Sequence, residues 1–349
     1  MPLPSSLKSS IPKKLETIDA LFRDAGLRTS RRGKLARRAG FARFEPVASK
    51  DLTRSVPEPC RAPNGVEWLP VEGWDLPWLW CGFSTRVGGV SRAYCADGAR
   101  GELNLGFTPS DEREAVIRNR RSLAEAVTGS ATTPLVTLRQ FHSNLIVRAT
   151  AADAARLTPR KADGQMTDEV GILLAVQTAD CVPVLVADRR QRAVAAFHAG
   201  WRGTVKRIVE CGIGQMRIAF GSRPRDLVAA IGPGIGACCY AVGEEVLSEF
   251  ESQFEYGRVL FREVDDAEAV RRRYPLLFMT QRAPGHSPMG PRLHVDLIEA
   301  NRRQLIAAGV QPGSIQVVGG CTQCSRKLFF SHRGSHGHTG RMMGVIGIR

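Results

Sequence analysis

The sequence predicts an α/β (α+β) fold of mixed β-sheets flanked by helices, and three observations carry that reading. Ile172–Gln177, Val182–Ala187 and Ala193–Phe197 are successive apolar runs of strand length with no helix-sized segment between them. Such a succession favours mixed or antiparallel sheets over a repeated βαβ unit. Asp111–Thr128 opens with an acidic turn and carries basic residues further along, the charge order that suits a helix macrodipole. Finally, 349 residues with 43% hydrophobic content are enough to bury a sizeable core. No apolar stretch approaches the roughly 20 residues that span a bilayer.

Residues 1–67 read as a basic, disordered extension. Residues 1–65 hold 14 lysines and arginines against 6 acidic residues, more than half of the net charge of +15. Only Pro12–Leu27 is amphipathic there. Interleaved aromatics and a nucleic-acid module are missing, which argues against a specific nucleic-acid partner. Acidic residues at Glu16, Asp19 and Asp24 argue against an organelle address, and the start lacks the apolar core of a secretory signal. Order is expected from Trp68, with 68–349 as a single domain that has no internal repeat.

Within that domain Trp80–Thr85, Leu135–Phe141 and Leu145–Arg148 read as strands, beside the three runs above. A helix is expected from Trp201 to Met216, interrupted at Gly212 and Gly214. Strand Leu227–Ile231 leads into Gly232-Pro-Gly-Ile-Gly236, a tight backbone turn, since the spacing is neither that of a P-loop nor that of a dinucleotide loop. Glu244–Phe254 reads as a helix, and the charged, Pro- and Gly-containing segment from 255 to 291 as a surface excursion. His294–Ala308 reads as a helix ended by Gly309. Strand Ile315–Val318 follows.

The chemistry gathers at strand ends. Leu174–Asp188 places Cys181 between two apolar runs, Ala195–Gly203 places His198 at the end of one, and Leu138–Val147 delivers His142. Two imidazoles and one thiolate suit zinc in its catalytic form, with a position left open for water or substrate. Asp163 and Asp180 are candidates to orient a ligand imidazole or to act as general acid or base. Arg86 and Arg202 stand beside glycines, and a planar guanidinium suits phosphate. The same residues allow a metal-free alternative, with Cys181 as nucleophile and His198 as base.

Nine cysteines, an odd number with Cys238 and Cys239 adjacent, lack a disulfide framework and point to a reducing cytoplasm. Cys321 and Cys324 form a lone C-x-x-C, for which a structural role is favoured. A second metal half-site would draw on His332, His336 or His338.

Several ordered segments resemble one family. They are Phe83-Ser-Thr-Arg-Val-Gly-Gly-Val-Ser91, Leu103-Asn-Leu-Gly106, Gln140-Phe-His142, Ala162-Asp-Gly164, Thr178-Ala-Asp-Cys181, His198-Ala-Gly-Trp-Arg-Gly203, Ile231-Gly-Pro-Gly-Ile-Gly-Ala-Cys-Cys-Tyr240 and Cys321-Thr-Gln-Cys324. Their order resembles the YfiH/YlmD-like family, the laccase-domain or polyphenol-oxidase-type purine nucleoside phosphorylases. The resemblance covers roughly residues 68–349. It implies a YfiH-like catalytic domain with zinc on His142, Cys181 and His198; a monomer or small homo-oligomer is expected. It further implies phosphorolysis of adenosine, inosine, guanosine or methylthioadenosine, together with adenosine deamination, so that purine nucleosides and phosphate are the partners.

Two segments depart from the family pattern. Gln-Val-His-Gly reads Gln140-Phe-His-Ser143, and Phe-Phe-Ser-Tyr-Arg-Arg reads Phe329-Phe-Ser-His332-Arg-Gly. The family's older name implies a copper-dependent polyphenol oxidase as the alternative. Seven histidines with one His-x-His pair, His336-Gly-His338, argue against a multicopper cluster, although copper competes well with zinc at nitrogen and sulfur ligands. The usual deaminase signature is missing, because His198-Ala-Gly200 lacks the glutamate of H-x-E.

Overall fold

A computed structural model describes residues 55–74, 76–95, 101–264 and 292–349. Most of the basic extension, including Pro12–Leu27, and most of the expected excursion lie outside the described residues. Ordered pairing begins before Trp68, since β1 (Cys60–Arg61) is antiparallel to β2 (Glu67–Pro70).

Two six-stranded mixed sheets form the centre. The first runs in spatial order β1, β2, β3 (Leu79–Ser84), β15 (Met342–Ile348), β8 (Leu173–Thr178) and β5 (Leu135–Val136). Its one parallel pair is β5 with β8. The second runs β14 (Ile315–Val317), β11 (Leu227–Ile231), β9 (Val182–Asp188), β10 (Val194–Ala199), β7 (Gly164–Thr167) and β6 (Ile146–Arg148). It is parallel at both edges, β14 with β11 and β6 with β7, and antiparallel between. A short β4 (Val87–Ser91) bridges to Glu102, and β12 (Phe261–Val264) pairs with β13 (Arg292–Val295).

The helices are α1 (Arg113–Thr128), α2 (Ala151–Ala154), α3 (Trp201–Val205), α4 (Ile208–Phe220), α5 (Glu244–Gln253) and α6 (Leu297–Ala307). Strand β9 shows why its sequence is continuously apolar. Leu185 and Ala187 face the first sheet, packing with Leu174, Val176 and Ile346. Val182, Val184 and Val186 face the opposite way, into a cluster with Ile208, Ile213, Met216 and Leu297 from the helices. A strand covered on both faces reads as an apolar run, not as an alternation. Leu123 of α1 covers the outer face of the first sheet with Leu173, Ala175 and Val345. The layers are therefore helix, sheet, sheet, helices.

Three expected elements are corrected. The helix from Trp201 breaks at Arg207, which adopts φ 57° and starts α4. Gly212 and Gly214 lie inside α4 without interrupting it. A Cβ at Gly212 would sit 2.2 Å from the Phe197 ring, so this glycine serves close helix–sheet packing. The expected helix at His294 is a strand through Val295, and Asp296 then caps α6 by accepting from the Glu299 amide at 2.9 Å. The expected strand Leu135–Phe141 ends at Val136, leaving a loop that carries His142.

Candidate metal centre

The site sits where the chain crosses between the sheets. The loop from β5 to β6 carries His142, and the link from β8 to β9 carries Cys181. His198 is near the end of β10, and Gly200 caps α3 directly after it. These three residues bring one ligand atom each within 4.8 Å of one another. His142 Nε2 is 3.8 Å from Cys181 Sγ, and the two imidazoles stand edge to face at 5.0 Å between centroids. A Cβ on Gly200 would lie 2.9 Å from Cys181 Sγ and 3.0 Å from His142 Cδ2. The glycine keeps the space between the ligands open.

Asp163, fully buried at the start of β7, organises the centre. Its oxygens accept from the amides of Phe141, His142 and Ser143 and from the Ser143 hydroxyl, at 2.7–3.2 Å. These bonds hold His142 at φ 64°, a left-handed conformation that is uncommon for a non-glycine residue. Ser143 thus supplies a hydroxyl bond where the family pattern has glycine. Asp163 Oδ1 also lies 2.9 Å from His198 Nδ1. That contact keeps a proton on Nδ1 and leaves Nε2 as the atom that could bind an ion once it gives up its own proton. Burial alone would raise the Asp163 carboxyl, but bonds from His198 and Ser143 hold it well below its ordinary value.

The ligand pair is electrostatically matched. Burial would push the Cys181 thiol up, yet the charge of His198 and a bond from His142 bring it down to about 6. Burial would push His198 down, while the Cys181 thiolate and Asp163 raise it to about 9. A thiolate facing an imidazolium is a cation-ready arrangement, because a metal ion can take the place of the imidazolium proton opposite the thiolate. Two nitrogens and one sulfur around an open gap fit zinc, and also copper.

Asp180 lies apart from this chemistry. At φ 88° its carboxylate accepts from the Thr322 hydroxyl and the Arg333 amide, both at 2.6 Å. Its carbonyl accepts from Ile235 N at 2.8 Å. Both carboxylate oxygens are engaged, tying two loops together beside Cys181.

Arg86 is likewise engaged with other parts of the chain. It pairs with Glu102 at 2.6 Å, donates to Arg326 O at 2.8 Å and lies over the Phe330 ring. Its charge is spent inside the protein. Arg202 is exposed and lines a neighbouring groove with Trp201, Arg292 and Arg333.

The cavity that holds His142, Cys181 and His198 has a volume of about 440 Å³ and contains two cations, Arg139 and Arg341. Gln140 and Gln177 form its floor, joined because the Gln140 side chain donates to Gln177 O and accepts from Gln177 N, at 2.8 and 2.7 Å. His332 completes the wall. Sequence reading noted His332 as a departure from the family run but missed the two arginines. Their only signal is proximity to His142 and to the last strand.

A second group of ligand atoms lies elsewhere: Cys238, Cys239, Cys321 and Cys324 also bring four sulfurs within 4.8 Å of one another. No helix of the described residues is long and apolar enough to cross a membrane.

Residues 80–349 match the family of multi-copper polyphenol oxidoreductase laccases. The chain is 35% identical to the purine nucleoside phosphorylase YlmD of Geobacillus stearothermophilus, over 78% of this chain and 94% of that one. It is 31% identical to the adenosine deaminase RL5 of an unknown prokaryotic organism, over 72% and 87%. The solved structure of YfiH from Bacillus licheniformis superposes with a TM-score of 0.67 at 32% identity, covering 81% of this chain and 96% of that one. With its mixed sheets, its His-Cys-His cluster and these relatives, the chain belongs to the laccase-domain family of YfiH and YlmD.

Proposed function

We propose that this protein is a zinc-dependent enzyme that splits purine nucleosides with phosphate and also deaminates adenosine. The observation that carries the reading is the His142, Cys181 and His198 cluster at a cavity lined by Arg139 and Arg341. His142, Cys181 and His198 would hold the ion. Bound there, zinc supplies Lewis-acid polarisation to the reacting group. The names of the YlmD and RL5 relatives support the two reaction types.

The chain's own residues divide the remaining work. Asp163 orients His198 and anchors the His142 turn, so both imidazoles are fixed before substrate arrives. Arg139 and Arg341 are our choice for holding phosphate, because both face the cavity whereas Arg86 is tied to Glu102. Gln140, immobilised by Gln177, and His332 offer hydrogen bonds to the purine or ribose.

The test pairs substrates with variants. Base release from inosine is expected to require phosphate, and adenosine deamination to proceed without it. Arg341→Ala should raise the apparent KM for phosphate about tenfold, the equivalent of one charge-assisted contact, with zinc content unchanged. Arg202→Ala should shift it less than about twofold. Full nucleoside turnover in metal-free protein would overturn the zinc reading and favour Cys181 as nucleophile, whereas phenol oxidation in proportion to bound copper would overturn the substrate class.

A further inference from the structure

Cys238 and Cys239 lie in the turn after β11, and Cys321 and Cys324 in the turn after β14. Strands β11 and β14 are parallel neighbours, so both turns leave the same end of the sheet side by side. They stay together beyond the strands, because Gly234 bridges to Cys321 and Thr322 N donates to Gly234 O at 3.0 Å. A Cβ on Gly236 would press on Cys238 Sγ and on Cys321 Cβ, each at 3.1 Å. The glycine lets the two thiol-bearing turns close on each other.

The sulfurs are close without being bonded. Cys324 Sγ is 3.5 Å from Cys238 Sγ and 3.4 Å from Cys239 Sγ, and all four cysteines are free thiols. A disulfide needs a sulfur separation near 2.0 Å. Tetrahedral zinc with Zn–S bonds of about 2.3 Å sets its sulfurs about 3.8 Å apart. The observed spacing belongs with the second geometry.

Burial grades from Cys238 and Cys321, which are buried against Ile235, to Cys324, which is exposed and leaves an entry path. Four sulfurs this close could ionise together only with a cation among them, since like charges at this spacing repel.

We propose that Cys238, Cys239, Cys321 and Cys324 form a second, structural zinc site, a closed four-thiolate centre distinct from the His-Cys-His cluster. Binding displaces the thiol protons to solvent and leaves no position open for substrate. It clamps the β11 and β14 turns, and through Ile235 N and the Thr322 hydroxyl it steadies Asp180, the residue before Cys181. The C-x-x-C pair thus finds its partners in Cys238-Cys239 and not in the nearby histidines.

The experiment uses the full chain, purified under reducing conditions with zinc supplied and analysed for metal by mass spectrometry. Cys324→Ser should hold about one zinc fewer than the unmodified chain, whatever the occupancy of the other cluster. In Cys181→Ala, X-ray absorption at the zinc edge should show four sulfur neighbours at about 2.3 Å. This second measurement decides the matter should Cys324→Ser fail to fold. Equal zinc in Cys324→Ser and the unmodified chain would overturn the proposal, as would nitrogen or oxygen neighbours on the zinc of Cys181→Ala, or an intact mass lighter by one or two disulfides.

Discussion

The two sulfur-bearing clusters differ in every property that separates a working centre from a fixed one. The His142, Cys181 and His198 cluster mixes nitrogen and sulfur, opens into a cavity with two arginines, and has its imidazole oriented by a buried carboxylate. The four cysteines have only sulfur and pack against Ile235. What the contrast teaches is that ligand identity alone does not assign a role. Openness and the company of cations do.

The largest effect should come from exchanging one sulfur in each cluster. Cys181→Ala is expected to lower kcat/KM for inosine by more than about 100-fold, since a direct ligand matters more than the partners that orient it. Cys324→Ser should lower the melting temperature by several degrees, on the order of 1–3 kcal/mol of lost clamp energy, yet leave kcat/KM within about threefold. Side-by-side kinetics and thermal melts check this. A Cys324→Ser protein as inactive as Cys181→Ala would erase the distinction between the clusters.

An intermediate effect is expected at Asp163. Asp163→Asn keeps the shape but gives up the charge that receives His198, Ser143 and three amides. Zinc affinity at the His-Cys-His cluster should fall about 10- to 100-fold, as for other partners of ligand histidines. Competition with a zinc-binding dye measures it. Unchanged affinity would mean that the carboxylate positions backbone only.

The smallest effect is a proton count. In the metal-free protein the Cys181 thiol, lowered to about 6, is already ionised at pH 7.5, while His198, raised to about 9, still holds its proton. The lowered thiol contributes stability above its unfolded pKa and loses it as pH falls through 6. The raised imidazole contributes stability below its unfolded pKa and loses it as pH rises through 9. Zinc uptake by this cluster at pH 7.5 should therefore release about one proton, and apparent affinity should climb with pH until about 9. Calorimetry in buffers of different ionisation enthalpy, on the Cys324→Ser protein, reads the count. Release of two protons would show that Cys181 is protonated before binding.

Much of the fold was legible because its central strands are covered on both faces. Strands β8, β9, β10 and β11 stand in the sequence as unbroken apolar runs. Strand β15 was not read, although it lies in the middle of its sheet. Its run Met342–Ile348 contains Gly344 and Gly347, and glycine ordinarily signals a break. The Gly347 position tolerates nothing larger, since a Cβ would meet Ile172 O at 2.3 Å.

His142, Cys181 and His198 were legible as site candidates because each lies at or beside the end of an apolar run. The ion pair of Arg86 with Glu102 was not legible, because the partner sits in a separate segment. The four-cysteine cluster could not be seen either. Cys238 and Cys324 are 86 residues apart, and only the parallel pairing of β11 with β14 brings them together.

The crossing of the chain between sheets at the β5–β6 and β8–β9 links has a mechanical consequence. His142 and Cys181 each ride on a strap from one layer to the other, so sliding the layers against each other changes the bite between two ligands. With the proposed ion bound there, metal loading and interlayer alignment would be linked equilibria: an ion that favours one spacing would lock the alignment, and anything that shears the layers would loosen the ion. The centre would act as a strain gauge for the whole sandwich, with metal release as its reading.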